Sequence, residues 1–371
     1  MRTPPCPYFG QCAGCTLQSL EYSEQLSKKA AALSKLLGTE TISVHNAQEF
    51  GYRNRMEFLY TKDGIGLRAA SSPGKVIPIQ ECLICSHRIN QLLVELKDFF
   101  KDNDSFQSGN AQGTLRYVVI RATSHADSIS FVLHSDSTNL QRNIEKIGEY
   151  AKLSTAQNIL ITYTDTVEDE QYSGEFFMIK GHPFLHEEVS GMKFMFSSQG
   201  FFQNNTTVAE KMQEYVHNLL AKYDTKNATL LDLYAGVGTF GIINSNLFKK
   251  VHLVESYQGC INSANENIKK NDIKNACAHR LEAHSMGRLR LTGDTYVITD
   301  PPRSGMSQKA IEQLKRLRPK AIIYLSCNPH QLAKDIKKFK SYAVKSAAFF
   351  DMFPQTEHSE VIAELVLNES S

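Results

Sequence analysis

The sequence predicts a doubly wound α/β sheet over its C-terminal half, an α+β segment before it, and a short cysteine-rich head. Three observations carry this. From Thr206 onward, helical runs alternate with short apolar strands, as in a parallel sheet covered on both faces. One of those strands enters a glycine-rich turn that opens a helix. Before Val189 the runs are shorter and β-like, and five of the eight cysteines fall in the first quarter of the chain. A chain of 371 residues exceeds what one core usually serves, so at least two domains are expected.

The elements follow in order. Behind the cysteine head, Leu26, Ala30, Leu33, Leu36 and Leu37 recur at helical spacing, which predicts a helix over Glu21 to Leu37 capped by Gly38. Arg53 to Tyr60, Tyr117 to Ala122 and Ser130 to His134 read as strands of the middle segment. The alternation then runs through helix Val208 to Leu220, strand Thr229 to Tyr234, helix Phe240 to Asn246, strand Val251 to Glu255 and helix Tyr257 to Lys270. No internal repeat or low-complexity tract interrupts it.

Composition narrows the function classes. No apolar run approaches the roughly 18 residues of a membrane span, and Met1 to Cys6 carries one positive charge with no apolar stretch behind it. A cytoplasmic protein with no membrane partner is expected, and nothing implies an obligate protein partner. The net charge of +2 is too small to announce a nucleic-acid binder. In a reducing cytosol, clustered cysteines suggest metal before disulfides.

Leu231 to Leu233 leads into Tyr234-Ala235-Gly236-Val237-Gly238-Thr239-Phe240-Gly241, and the next strand ends at Glu255. A glycine turn at the end of a first strand lets the backbone pass close to a nucleotide-like ligand, and a carboxylate about twenty residues on can accept ribose hydroxyls. A tight turn with a solvent-facing Glu, or a dinucleotide dehydrogenase, fits these two features equally. The block resembles motif I of the class I S-adenosylmethionine methyltransferases.

Two more strand ends carry chemistry. Tyr296 to Thr299 runs into Asp300-Pro301-Pro302-Arg303-Ser304-Gly305, whose prolines fix the chain direction at the acid. The motif is either a stiff exposed loop or part of a site. Amino-group methyltransferases of DNA carry an aromatic where Arg303 stands. Ala321 to Leu325 runs into Ser326-Cys327-Asn328-Pro329, where the thiol is either inert packing or a nucleophile. Near the C-terminus, Phe353 to Glu360 adds two carboxylates, Glu357 and Glu360, and His358 before a strand from Val361 to Leu367. A thiol, a base and a methyl donor on one rim match methylation at a pyrimidine C5, with Cys327 as nucleophile and Glu360 as proton acceptor.

Taken together, the chain resembles the RNA uracil-C5 methyltransferases. Phe202-Gln203-Asn204-Asn205, the block around Tyr234, Asp300-Pro301-Pro302-Arg303, Ser326-Cys327-Asn328-Pro329 and Glu360 stand in the family's order. The resemblance implies Gln203, Tyr234, Glu255 and Asp300 as binders of S-adenosylmethionine. It implies a seven-stranded methyltransferase sheet with Glu21 to Leu37 packed on it, hence interleaved domains. Residues 1–17 and 50–195 would form the cysteine motif and an inserted α+β RNA-binding domain, and 18–49 and 196–371 the methyltransferase domain.

Cys6-x5-Cys12-x2-Cys15 resembles the [4Fe-4S] motif of some family members, with Cys82 the implied fourth ligand and Cys85 its substitute. Structural zinc is the competing reading, because Cys12/Cys15 and Cys82/Cys85 are two CxxC pairs. The expected RNA footprint is the middle domain plus a basic run including Lys315, Arg318, Lys320, Lys338 and Lys345, which equally suits a solvated helix face. Phe201, Phe202 and Phe353 are candidate stacking partners for a uridine turned out of its stack. Because the chain begins at the cysteine motif, it resembles the enzymes for uridine 747 of 23S ribosomal RNA. A transfer-RNA uracil-54 enzyme and a metal-stabilised RNA-binding protein with an inactive methyltransferase fold are the alternatives.

Overall fold

The computed structural model describes residues 2–72, 74–107, 112–164 and 176–368. The chain divides into two compact units. Unit 1 comprises residues 1–21, 48–187 and 197–199, and unit 2 comprises 22–47, 188–196 and 200–371.

Unit 1 is a seven-stranded sheet in the spatial order Val76–Pro78, Gly64–Arg68, Arg55–Thr61, Leu115–Ala122, Asp127–His134, Asn158–Thr164 and Phe176–Lys180. Neighbours are antiparallel except Asp127–His134 with Asn158–Thr164, which are parallel. A parallel pair needs a crossover, and the helix Leu140–Leu153 supplies it. Helix His87–Phe99 turns Ile89, Leu92, Leu93 and Leu96 into the core, which also holds Phe100, Phe131 and Tyr150.

Unit 2 is built on eight strands. In chain order they are β1 (Ser43–His45), β2 (Thr229–Leu233), β3 (Lys250–Glu255), β4 (Ala276–Arg280), β5 (Thr295–Thr299), β6 (Ala321–Ser326), β7 (Tyr342–Phe350) and β8 (Glu360–Leu367). Their order across the sheet is β1-β7-β8-β6-β5-β2-β3-β4. Only β8 runs against its neighbours β6 and β7; the other pairings are parallel. The sheet thus has one strand more than the seven expected. β1 is three residues long and carries too little pattern to be read from sequence.

Because side chains alternate across a strand, β2 feeds both faces. Leu231 and Leu233 enter a core with Leu33, Val297, Ile322, Ala310, Leu314 and Leu332. Helices Tyr22–Leu37, Gln308–Leu317 and Pro329–Ile336 therefore cover that face. The first of these buries Gln25, Lys29 and Leu33, while Leu26, Ala30 and Leu37 of the expected stripe are only partly buried. Gly38, at φ +67°, ends the helix in the left-handed conformation. The helix expected at Phe240 to Asn246 is two pieces, Thr239–Ile243 and a 3₁₀ turn at Ser245–Leu247. No described helix is long and apolar enough to cross a membrane.

Candidate active site and cysteine pocket

β2 lies between β3 and β5, so the strand order reverses there, and ligands of open α/β sheets bind at the carboxyl ends flanking such a reversal. The turn after β2 is strained as that role demands. Tyr234, Gly236 and Gly238 all have positive φ, at 58°, 55° and 88°. A Cβ on Gly238 would stand 2.8 Å from Leu253 Cδ1 as well as in this disfavoured conformation. Glu255, at the end of β3, grips the turn: its Oε2 accepts the Gly236 N–H at 3.1 Å and its Oε1 accepts those of Ser256 and Tyr257. Asn267 supports the turn from helix Gln258–Lys270, its Nδ2 donating to Val237 O at 3.0 Å.

Asp232 lies under the turn, 2 % exposed, and accepts the Gly241 N–H at 2.8 Å. Burial pushes its carboxyl up to about 8 against that hydrogen bond, with Asp300 and Glu255 adding to the rise. A carboxyl whose folded pKa lies above its unfolded value contributes stability that is complete below about pH 4 and is lost as pH rises through about 8. Asp232→Asn keeps an acceptor for Gly241 and removes the titration. The variant is expected to exceed the wild type in stability at pH 8.5 by an amount on the order of a few kcal/mol and to converge with it near pH 4. Urea midpoints across that range check this; parallel curves would refute it.

Across β2, the register pairs Leu233 with Thr299, so Tyr234 and Asp300 are neighbours one step on. β6 ends at Ser326 opposite Val361, and Cys327 and Glu360 are the residues that follow and precede that pair. The sequence reading put Glu360 in the loop before the last strand. It is instead the strand's first residue and buried, whereas Glu357 is exposed. Burial raises the carboxyls of both Asp300 and Glu360, and the charge of Asp300 raises Glu360 further. Burial first, then Glu360 and Asp300, push the half-buried Cys327 thiol up to about 11, while Arg303 pulls it down.

The two motif loops are bound together. Asn328 caps helix Pro329–Ile336 through Gln331 N and donates from Nδ2 to Arg303 O at 3.0 Å. Gly305 turns back at φ +77°, where a Cβ would fall 2.4 Å from Asp335 Oδ2. The buried Asp335 in turn accepts Met306 N and the Tyr324 hydroxyl.

Sequence reasoning missed the scaffold of the Asp351–Ser359 loop that leads to Glu360. Lys29 Nζ meets Asp351 Oδ1 at 2.7 Å with both side chains almost wholly buried, and it also donates to Phe353 O. Gln25 and Gln355 exchange two hydrogen bonds, Nε2 to Oε1 at 3.0 Å and Gln355 N to Gln25 Oε1 at 3.1 Å. The signal available was a polar pair at i and i+4 beside an apolar helix stripe. Gln203 stands half-buried just before helix Thr206–Leu220. Asn205 caps that helix through Val208 N and donates to Met352 O, which ties the Gln203 turn to the same loop.

Two buried polar atoms near this rim have no hydrogen-bond partner among the described residues, Asn204 Oδ1 beside Gln203 and Thr299 Oγ1 beside Asp300. Of the aromatics expected to stack on a base, Phe201 is exposed and Phe353 half-buried. Phe202 is buried against Phe196 at a ring separation of 4.2 Å and cannot serve. The basic run is partly neutralised, with Lys320, Lys338 and Lys345 facing Asp294, Asp335 and Glu364.

In unit 1, Cys6, Cys12, Cys15 and Cys82 line one pocket of about 450 Å³ together with Arg53, Arg55 and Arg68. Cys85 turns instead into the core. Its thiol hydrogen-bonds Cys82 and lowers the latter to about 7, while burial pushes Cys15 up to about 12. No three of these described sulfurs lie within 4.8 Å of one another. A single zinc, with bonds of about 2.3 Å, needs its sulfurs roughly 3.8 Å apart. The donor set therefore fits a polynuclear cluster better than one ion.

The order of the sheet in unit 2, with one antiparallel strand set between β6 and β7, is that of S-adenosylmethionine-dependent methyltransferases, and the fold and its rim define a protein of that class. Residues 21–367 match the family described as tRNA (Uracil-5-)-methyltransferase, and the chain belongs to it. It is 32 % identical over 381 residues to an uncharacterized RNA methyltransferase of Caldanaerobacter subterraneus subsp. tengcongensis, covering 97 % of this chain and 84 % of the relative. A tRNA (uracil(54)-C(5))-methyltransferase of Pyrococcus abyssi is 30 % identical over 365 residues, covering 98 % and 86 %. The crystal structure of the P. abyssi tRNA (uracil-54, C5)-methyltransferase in complex with S-adenosyl-L-homocysteine superposes with a TM-score of 0.80 at 29 % identity, over 96 % of this chain and 86 % of that one. The protein is an S-adenosylmethionine-dependent RNA uracil-C5 methyltransferase.

Proposed function

We propose that this enzyme makes 5-methyluridine in transfer RNA, at the position its named relatives modify, uracil 54, with Cys327 as nucleophile and Glu360 as base. The observation that supports the chemistry is that Cys327 follows, and the buried Glu360 precedes, the strand pair Ser326–Val361, with the charges of Glu360 and Asp300 both felt by the Cys327 thiol. S-adenosylmethionine supplies an electrophilic methyl group; Glu255, Gln203, Tyr234 and Asp300 are the residues that would hold it. The Cys327 thiolate adds to C6 of the uracil, which makes C5 enolate-like and able to take the methyl as its bond to the sulfonium sulfur breaks and S-adenosylhomocysteine is left. Glu360, in its ionised form, then removes the C5 proton, and the C6–S bond breaks to return the thiolate and the aromatic ring. Cys6, Cys12, Cys15 and Cys82 are proposed to hold a [4Fe-4S] cluster, supported by their shared pocket and the spread of their sulfurs.

The choice of RNA differs from the sequence expectation. Uridine 747 of 23S ribosomal RNA was favoured from where the chain begins, whereas the relatives named for a substrate act on transfer RNA. The test supplies labelled S-adenosylmethionine with unmodified transfer RNA and 23S ribosomal RNA and maps the product by mass spectrometry. The expected product is 5-methyluridine at position 54 of transfer RNA. A product confined to ribosomal RNA overturns the substrate assignment while keeping the chemistry. RNA binding with no methyl transfer to either RNA overturns both.

A further inference from the structure

A second cluster of metal-ligand side chains lies in unit 2, on strands that the methyl-transfer site uses only at their carboxyl ends. His252 on β3 and Cys277 on β4 are register partners, and His279 is two residues further along β4 on the same face. Their donor atoms meet. His252 Nδ1 is 2.8 Å from His279 Nε2, and Cys277 Sγ is 3.6 Å from the first and 3.2 Å from the second. The imidazole rings lie face to face, 5.0 Å apart. Among the described residues this is the group of three or more such side chains whose ligand atoms all fall within 4.8 Å.

The geometry points to a metal site at which His252, Cys277 and His279 take one zinc-class divalent ion, with a fourth position open. The three donors form a triangle small enough that an ion at the roughly 2.0–2.3 Å zinc takes to nitrogen and sulfur sits just off its plane, as in a tetrahedral site with one vacant corner. Two imidazoles and a thiolate are a borderline-soft set, which selects zinc over magnesium or calcium. Without an ion the three groups satisfy one another poorly: one N–H serves the two facing nitrogens, and Cys277 Sγ otherwise reaches only Val251 O at 3.7 Å.

The position gives the ion a role. β4 is an edge strand, bonded on β3 alone. Cys277 and His279 are half-buried while His252 is buried, so the site opens at the sheet edge. An ion there clips the edge strand to the strand that carries Glu255 three residues further on. Binding needs the His252 ring proton on Nε2, which is buried with no partner. A ligand histidine lacking that outer hydrogen bond binds about 10- to 100-fold more weakly than a supported one, so a reversible site is expected.

The test is cobalt and zinc titration of the full-length purified protein, read by the visible spectrum of bound Co²⁺ and by metal content after dialysis. The wild type is expected to bind one more equivalent than Cys277→Ser, with sulfur-to-cobalt intensity beyond that of the unit 1 cysteines that this variant lacks. His279→Gln is expected to weaken the same equivalent at least tenfold. Cys82→Ser, which alters only the unit 1 cysteines, is expected to retain that added intensity. Should Cys277→Ser not fold, the His279→Gln comparison decides alone. Equal stoichiometry and spectra in wild type and the β4 variants would overturn the site, whatever the RNA substrate proves to be.

Discussion

Cys327→Ala is expected to lower methyl transfer by roughly ten-thousand-fold or more, a barrier increase of about 5.5 kcal/mol. The reason is specific to the reaction. Carbon 5 of uracil has almost no nucleophilicity until C6 is saturated, so loss of the thiol removes the step that creates the nucleophile. The same assignment predicts opposite behaviour at Cys327 and Glu360. On RNA containing 5-fluorouridine the wild type is expected to stall as a covalent complex, because the C5 fluorine cannot leave as a proton would, and Cys327→Ala is expected to form none. Glu360→Gln is expected to accumulate a methylated adduct on ordinary RNA, because the C5 proton stays in place. The pH dependence follows from the thiol held up at about 11. The ionised fraction rises tenfold per pH unit below that value, so single-turnover adduct formation should climb between pH 7 and 9. Transfer that survives Cys327→Ala would remove this mechanism.

Lys29→Met is expected to be the most destabilising single substitution in unit 2 outside the site. Asp351 is fully buried, its Oδ1 faces Lys29, and its Oδ2 has no partner. Removing the ammonium leaves a buried carboxylate uncompensated, a change that costs about 3–5 kcal/mol. The double variant Lys29→Met, Asp351→Leu is expected to recover most of the stability, since apolar replacement of a buried pair is often neutral. It should not recover full activity, because Phe353 O loses its donor and Glu360 follows that loop. Urea denaturation and kcat of the wild type and the two variants separate these outcomes; a single variant as stable as the wild type would refute the argument.

What the sequence disclosed and what it hid divide along one physical line. The glycine turn, Asp300 and Cys327 sit at ends of strands whose apolar runs are short and local, so each could be placed on the rim from its own neighbours. The residues that hold them are paired at long range. Gln25 with Gln355 and Lys29 with Asp351 are separated by 330 and 322 positions, and nothing within ten residues of either partner announces the other. Asp232 was the nearest to legible, a lone carboxylate in the apolar run Leu230 to Leu233. Phe202 misled because an aromatic in a binding motif carries no mark of the ring it packs against. Cys277 and His279 are only two residues apart, but their relation to His252 exists through strand register alone.

The division of unit 2 along the chain has a consequence for how the enzyme is made. Its first helix, Tyr22–Leu37, leaves the ribosome early, yet the bonds from Lys29 to Asp351 and between Gln25 and Gln355 cannot form until residues 351 and 355 are synthesised. At about 5–20 residues per second that wait is on the order of tens of seconds. Through it the helix must keep a lysine and a glutamine on the face it will later bury. Those polar groups keep the waiting helix hydrated and discourage it from joining the wrong apolar surface.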